Sequence, residues 1–142
     1  MPTRKSSAVW NGKLKDGRGT IKLGSGLLEA PYSFSSRFEE GEGTNPEELL
    51  GAAHAACFSM SLSAGLSQAG YVPKSISTSA QVTINLVGQG FKITRIDLDT
   101  EAAVPGIEPA RFLEQAELAK VNCPVSQALR ATEITLRAKL LS

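Results

Sequence analysis

One hundred and forty-two residues amount to one domain, residues 1–142, and 42% hydrophobic with 20% charged residues is an ordinary globular composition. At this size about two-thirds of the unfolded chain's surface can be buried, so neither disulfides nor a structural metal are needed to hold the fold. Fifteen Lys+Arg against fourteen Asp+Glu leave a net charge of +1, which offers no electrostatic reason to bind nucleic acid or an acidic membrane surface.

The opening MPTRKSSAVWNG lacks the apolar run of a signal peptide, and the expected compartment is the cytoplasm. Three short strands follow, Ala8 to Leu14, Gly19 to Leu23 and Leu27 to Phe34, divided by turn signals at Asp16-Gly17 and Gly24-Ser25-Gly26. A polar loop, Arg37 to Gly43, runs into a helix start with Asn45 as cap and Pro46 at the first helical position. That helix is expected to reach Ala69, with Gly70 as its left-handed terminator and Pro73 preventing resumption. Its apolar stretch, Leu49 to Leu66, is interrupted by His54, Ser59, Ser61 and Ser63, which argues for a buried helix and against a membrane span.

Strict alternation from Ile76 to Leu86 predicts a half-buried strand, and after a turn at Val87-Gly88-Gln89-Gly90 a second strand begins at Phe91. Its apolar parity changes between Ile93 and Ile96, so a bulge is expected near Thr94 or Arg95. A helix from Pro109 to near Asn122 would bury Phe112, Leu113, Ala116 and Ala119. A short helix follows Cys123-Pro124, and a strand over Ile134 to Leu140 closes the chain. Strands, long helix, hairpin, helix and strand make an α+β domain.

The chemistry must come from few residues. Cys57 and Cys123 are the only cysteines and His54 the only histidine, so a tetrahedral metal site within one chain is not expected. Buried, inert thiols are the plain reading of both cysteines. Cys123, just before Pro124, occupies a helix cap whose free N–H groups favour a thiolate, whereas Cys57 lies mid-helix on an apolar flank of Leu50, Ala53, Met60 and Ala64, where desolvation raises its pKa. An active Cys57 therefore needs a cation from elsewhere, and Arg37, before the loop that feeds the helix, is the candidate; it could equally be a surface arginine. Glu48 can close a capping box with Asn45, leaving Glu47 either to orient Arg37 or to stay solvated. His54, three residues before Cys57, also permits a Cys-His hydrolase, though no oxyanion hole or third group is visible. Phe58 and Met60 beside Cys57 would suit an alkyl substrate, but such residues more often pack the core.

The segment GTNPEELLGAAHAACFSMSLSAGL, together with NCPVSQAL, PYSFSSRFEE, AVPGI and EITLRAKL, resembles the OsmC/Ohr family of thiol peroxidases, and its OsmC branch most closely. The resemblance covers essentially the whole chain. It implies an OsmC-like fold with antiparallel sheets and a long central helix in an intertwined homodimer. The implied activity is reduction of organic hydroperoxides, and less efficiently hydrogen peroxide, with no bound cofactor and an external dithiol as reductant. By motif, Cys57 matches the peroxide-attacking cysteine, Cys123 the resolving cysteine, Arg37 the active-site arginine and Glu47 the glutamate that holds it. This order reverses the one that local acidity gives the two thiols. Glu47 and Cys57 stand ten residues apart, about 15 Å along a continuous helix, so a site using both requires either a broken helix or a second subunit. A non-enzymatic binding module with structural cysteines is the alternative from another class.

Overall fold

Short alternating segments separated by glycine turns pair locally before they pair at a distance, and the first fifty residues do so. The computed structural model describes every residue, Met1–Ser142, and the chain forms two compact units, Met1–Leu49 and Leu50–Ser142. In the first, β1 (Ser6–Asn11), β2 (Arg18–Leu23) and β3 (Glu29–Tyr32) form an antiparallel sheet in the order β1-β2-β3. The outer strands are shorter than their apolar content suggests. β1 stops where Gly12 turns, and β3 stops because Ser33 caps a helix, α1 (Phe34–Phe38), over residues expected to be strand end and loop. Its signal is a capping box written with serines: Ser36 N–H donates to Ser33 Oγ at 3.1 Å, and Ser33 N–H donates to Ser36 Oγ at 2.8 Å.

The link from α1 to the long helix is tightly held. Gly43 adopts φ 115°, and a Cβ there would fall 2.6 Å from the Pro31 carbonyl oxygen, so only glycine fits. Thr44 N–H then donates to that same oxygen at 2.9 Å. Asn45 caps α2 as expected, its Oδ1 accepting from Glu48 N–H at 2.7 Å while its Nδ2 donates to the Ser36 carbonyl at 3.0 Å. The Glu48 carboxylate does not close the expected box with Asn45. It accepts instead from the Thr44 hydroxyl at 2.7 Å.

Helix α2 (Pro46–Gln68) is unbroken over its 23 residues and ends at Gly70, φ 94°, the expected left-handed stop. Two expectations about it are corrected. By length and mean hydropathy, 1.4 over its most apolar window, it is long and apolar enough to cross a membrane, so three serines and a histidine do not exclude a span by composition. Nor is it wholly buried within one chain. His54, Phe58, Leu62 and Leu66 form a fully buried stripe at helical spacing, whereas Ala52, Ala53, Ala56 and Ala64 are exposed and Met60 is 75% exposed.

In the second unit, β4 (Ser75–Val87) and β5 (Gly90–Ala103) form a long antiparallel hairpin. Thr83 pairs with Arg95 and Ile84 with Ile93, which leaves Thr94 as the expected bulge and restores the inward parity of Ile96, Leu98, Thr100 and Ala102. β6 (Glu133–Leu140) runs parallel to β5, so this sheet, in the order β4-β5-β6, is mixed and not antiparallel throughout. The connection explains it: α3 (Pro109–Asn122) and α4 (Pro124–Ala128) carry the chain back between β5 and β6, the crossover a parallel pair needs. Phe112, Ala116 and Ala119 are buried as expected, but Leu113 is 49% exposed.

Phe58, Leu62 and Leu66 of α2 interleave with Ile96, Leu98 and Ala102 of β5 and Phe112, Ala116 and Ala119 of α3, and Cys123 belongs to the same core. A line of hydroxyls ties these elements together: Ser59 Oγ donates to Thr78 Oγ1 at 2.7 Å, and Thr78 and Thr100 share a hydrogen bond at 2.9 Å. Each buried hydroxyl on this line has a partner, so polarity here costs little.

Candidate active site

Cys57 faces the core from the middle of α2, and Cys123 sits at the junction of α3 and α4, at once the C-cap of one helix and the N-cap of the other. Pro124 causes this arrangement, because proline begins a helix readily but cannot continue one. The junction delivers Cys123 to α2. Both cysteines are free thiols, Cys57 packs against the core that contains Cys123, and the two thiols and the Val125 backbone N–H act on one another's acidity.

Their environments differ in sign. Burial pushes the Cys57 thiol above its ordinary value; the Val125 N–H opposes this, and the Cys123 thiol adds to it. Burial is also the largest single influence on Cys123 and acts upward, but the hydroxyl and N–H of Ser126, the Cys57 thiol and the Val125 N–H together outweigh it, so that thiol lies below its ordinary value. Ser126 N–H donates to Cys123 Sγ at 3.4 Å. Local acidity thus follows the order read from helix position, with Cys123 the more acidic, and no cation is among the groups acting on Cys57.

The expected cation is held in the first unit. Arg37, at the end of α1, makes a bidentate pair with Glu47 in the first turn of α2: Nε donates to Oε1 and Nη2 to Oε2, each at 3.0 Å. Glu47 is only 6% exposed, so the solvated first-turn glutamate is ruled out. The Arg37 guanidinium also lies 5.2 Å from the Phe38 ring centre. It borders a cavity of about 200 Å³ lined by Trp10, Leu14, Tyr32, Phe34 and Phe38. Sequence reading missed these aromatics, whose signal would have been the alternation of Trp10 and Tyr32 around the turn-linked strands. Phe58, considered as a pocket residue, is wholly in the core.

His54 turns away from nucleophilic chemistry. Its Nε2 meets Ser126 Oγ at 2.7 Å, its Nδ1 has no partner, and the ring is fully buried. Burial lowers its pKa, keeping the imidazole neutral. A Cys57-His54 pair for ester hydrolysis has no support in this geometry. No group of three or more His, Cys, Asp or Glu side chains is placed to hold a metal ion.

Neutral burial has a measurable consequence. The unfolded histidine takes a proton near pH 6.5 and the folded one only at lower pH, so stability is full above about pH 6.5 and falls as pH drops toward the lower folded value. Chemical denaturation between pH 7.5 and 5 should show this loss in the native protein, and a flatter profile in His54→Gln.

The model of the OsmC-like protein family matches residues 39–138. The chain belongs to that family. This OsmC-like chain is 53% identical over 140 residues to the protein named Peroxiredoxin OsmC of Escherichia coli K12, covering 98% of the chain and 97% of that relative. It is 35% identical over 98 residues to an organic hydroperoxide resistance protein of Xanthomonas axonopodis pv. citri, covering 68% and 67%. The resemblance to the OsmC branch over the Ohr branch agrees with these figures. The OsmC-like protein of Mycoplasma pneumoniae superposes with a TM-score of 0.77 at 16% identity, over 99% of both chains, a likeness of fold alone.

Proposed function

We propose that this OsmC-like chain is a thiol peroxidase that reduces organic hydroperoxides, with Cys57 as the attacking sulfur and Cys123 as the resolving one. The observation that carries the reading is that Cys57 of α2 packs against the core that contains Cys123 of the α3-α4 junction, close enough for each thiol to act on the other's acidity. The names of the relatives, a peroxiredoxin and a hydroperoxide resistance protein, support the same chemistry and give the binding-module alternative no support.

In the first step Cys57 thiolate attacks one peroxide oxygen, the O–O bond breaks, and the alcohol departs with a proton, leaving Cys57 as a sulfenic acid. Cys123 thiolate then attacks that sulfur and displaces hydroxide, which leaves as water, forming the Cys57-Cys123 disulfide. An external dithiol returns both thiols by exchange and is itself oxidised to a disulfide; free, recyclable cysteines suit a reducing cytoplasm.

Cys57 still needs its cation. α2 is unbroken, with about 15 Å of helix between Glu47 and Cys57, which supports the second of the two options, a second subunit. We therefore assign the Arg37-Glu47 pair that serves Cys57 to the second copy in a two-fold homodimer, where the exposed alanines of α2 permit close packing. The guanidinium then stabilises both the thiolate and the charge on the departing alkoxide. The aromatic cavity beside Arg37 would take an alkyl or aryl tail, which favours organic hydroperoxides over hydrogen peroxide.

The direct test is mass spectrometry after one equivalent of cumene hydroperoxide. The expected product has lost two hydrogens and carries a peptide link between Cys57 and Cys123; unchanged thiols beside intact peroxide would refute the reading.

A further inference from the structure

His54 is a buried polar side chain that the proposed chemistry leaves unused, and the only one with a buried side-chain atom that lacks a hydrogen-bond partner. Its Nε2 contacts Ser126 Oγ at 2.7 Å while its Nδ1 is buried with no partner. Two tautomers are possible, and they differ in what reaches Cys123. If the proton sits on Nδ1, a buried N–H donor is orphaned and the Ser126 hydroxyl must point at Nε2, away from Cys123. If it sits on Nε2, the histidine donates to Ser126 Oγ, the orphan is a bare lone pair, and the Ser126 hydroxyl is free to donate onward. Orphaned buried N–H groups are the rarer outcome, so the second tautomer is favoured. It sets up a directed chain, with His54 Nε2–H donating to Ser126 Oγ and the Ser126 hydroxyl left free to act on Cys123, whose thiol it makes more acidic. The Ser126 backbone N–H joins it at 3.4 Å from the same sulfur.

A second observation points the same way. Cys123 is fully buried, whereas Cys57 is partly exposed, so a reductant meets the Cys57 sulfur first. Exchange favours the lower-pKa thiol as leaving group. Access and leaving-group quality thus select the same direction.

We propose that His54, acting through Ser126, is a positioning residue for disulfide recycling: the chain receives the Cys123 sulfur as it leaves, so that the external dithiol attacks Cys57. The inference rests on the two-cysteine reading above. One reductant thiolate attacks Cys57 Sγ, the Cys57-Cys123 bond breaks, and its electron pair departs on Cys123. The reductant's second thiolate attacks the mixed disulfide, releases Cys57 thiolate and closes the reductant's own disulfide; the two protons of the dithiol end on the two cysteines.

Two measurements decide it. In a Cys57→Ser background, ultraviolet thiolate absorption titrates Cys123 alone. Ser126→Ala and His54→Leu should each move the midpoint up by about one pH unit, while Ser126→Thr and His54→Gln, which keep a donor, should hold it near the parent value. Unmoved midpoints in folded Ser126→Ala and His54→Leu would overturn the chain. For direction, the full protein is oxidised with diamide, treated with one equivalent of 2-mercaptoethanol, quenched in acid with N-ethylmaleimide and mapped. The mercaptoethanol should be on Cys57 and the maleimide on Cys123, with reduction roughly threefold slower in Ser126→Ala; the reverse assignment would overturn the direction. Neither measurement uses peroxide, so a failure of peroxide consumption would remove the peroxidase reading and leave these results to decide the inference.

Discussion

Cys57→Ser should lower hydroperoxide consumption by three orders of magnitude or more, on the order of what loss of a nucleophile costs other enzymes, whereas Cys123→Ser should retain a first turnover and then stop. The asymmetry follows from where each sulfur enters. Without Cys57 nothing can accept oxygen from the peroxide, because Cys123 is fully buried and its greater acidity is of no use to a substrate that cannot touch it. Without Cys123 the first oxygen transfer proceeds, but the sulfenic acid has no partner thiol and the next peroxide carries it to sulfinic acid, which thiols do not reverse. Stopped-flow peroxide assays should give one equivalent consumed per Cys57 in the first turnover of Cys123→Ser and a second in the overoxidation that follows, after which mass spectrometry should find two added oxygens on Cys57. Steady multiple turnover in Cys57→Ser, or sustained recycling in Cys123→Ser, contradicts the assignment of roles.

The elements legible in the sequence were those that a single periodicity or a single special residue dictates. Alternation gave β4, and the change of parity in β5 gave a bulge near Thr94 or Arg95, observed at Thr94; Asn45, Pro46 and Gly70 bounded α2 because capping chemistry is local. α1 escaped because Ser33 and Ser36 make a capping box without the glutamate that usually announces one, and because Phe34 and Phe38 suit a strand as well as a helix. The parallel course of β6 escaped because strand direction depends on how the α3-α4 connection returns, which no residue within β6 records. At the site, the acidity of Cys123 was readable from Pro124, and the Arg37-Glu47 pair was one of two open options. The His54-Ser126 contact was not readable, since 72 positions separate the partners and only the junction of α3 and α4 brings them together.

Arg37→Met should cost peroxidase activity about a hundredfold or more while leaving the fold intact, and mixing it with Cys57→Ser should restore part of what each variant lacks alone. Burial holds the Cys57 thiol above its ordinary value, and the groups around it within its own chain do not reverse that. The proposed Arg37 cation would supply the missing anion stabilisation, and removing a donor that stabilises developing charge costs about 10²–10³ in kcat. Glu47→Gln should follow with a smaller loss, because it frees the guanidinium from the two 3.0 Å bonds that fix it without removing its charge. If the second copy supplies Arg37, a heterodimer of the two variants has one complete site, with Cys57 from the Arg37→Met chain and Arg37 from the Cys57→Ser chain. Its other site lacks both. Random reassembly of an equal mixture makes half the dimers heterodimers, so about a quarter of the native activity should return. Were Arg37 to serve the cysteine of its own chain, no combination of the two variants would hold a complete site and the mixture would stay as inactive as its components. Activity measured before and after denaturing and refolding the mixture therefore separates a shared site from a private one.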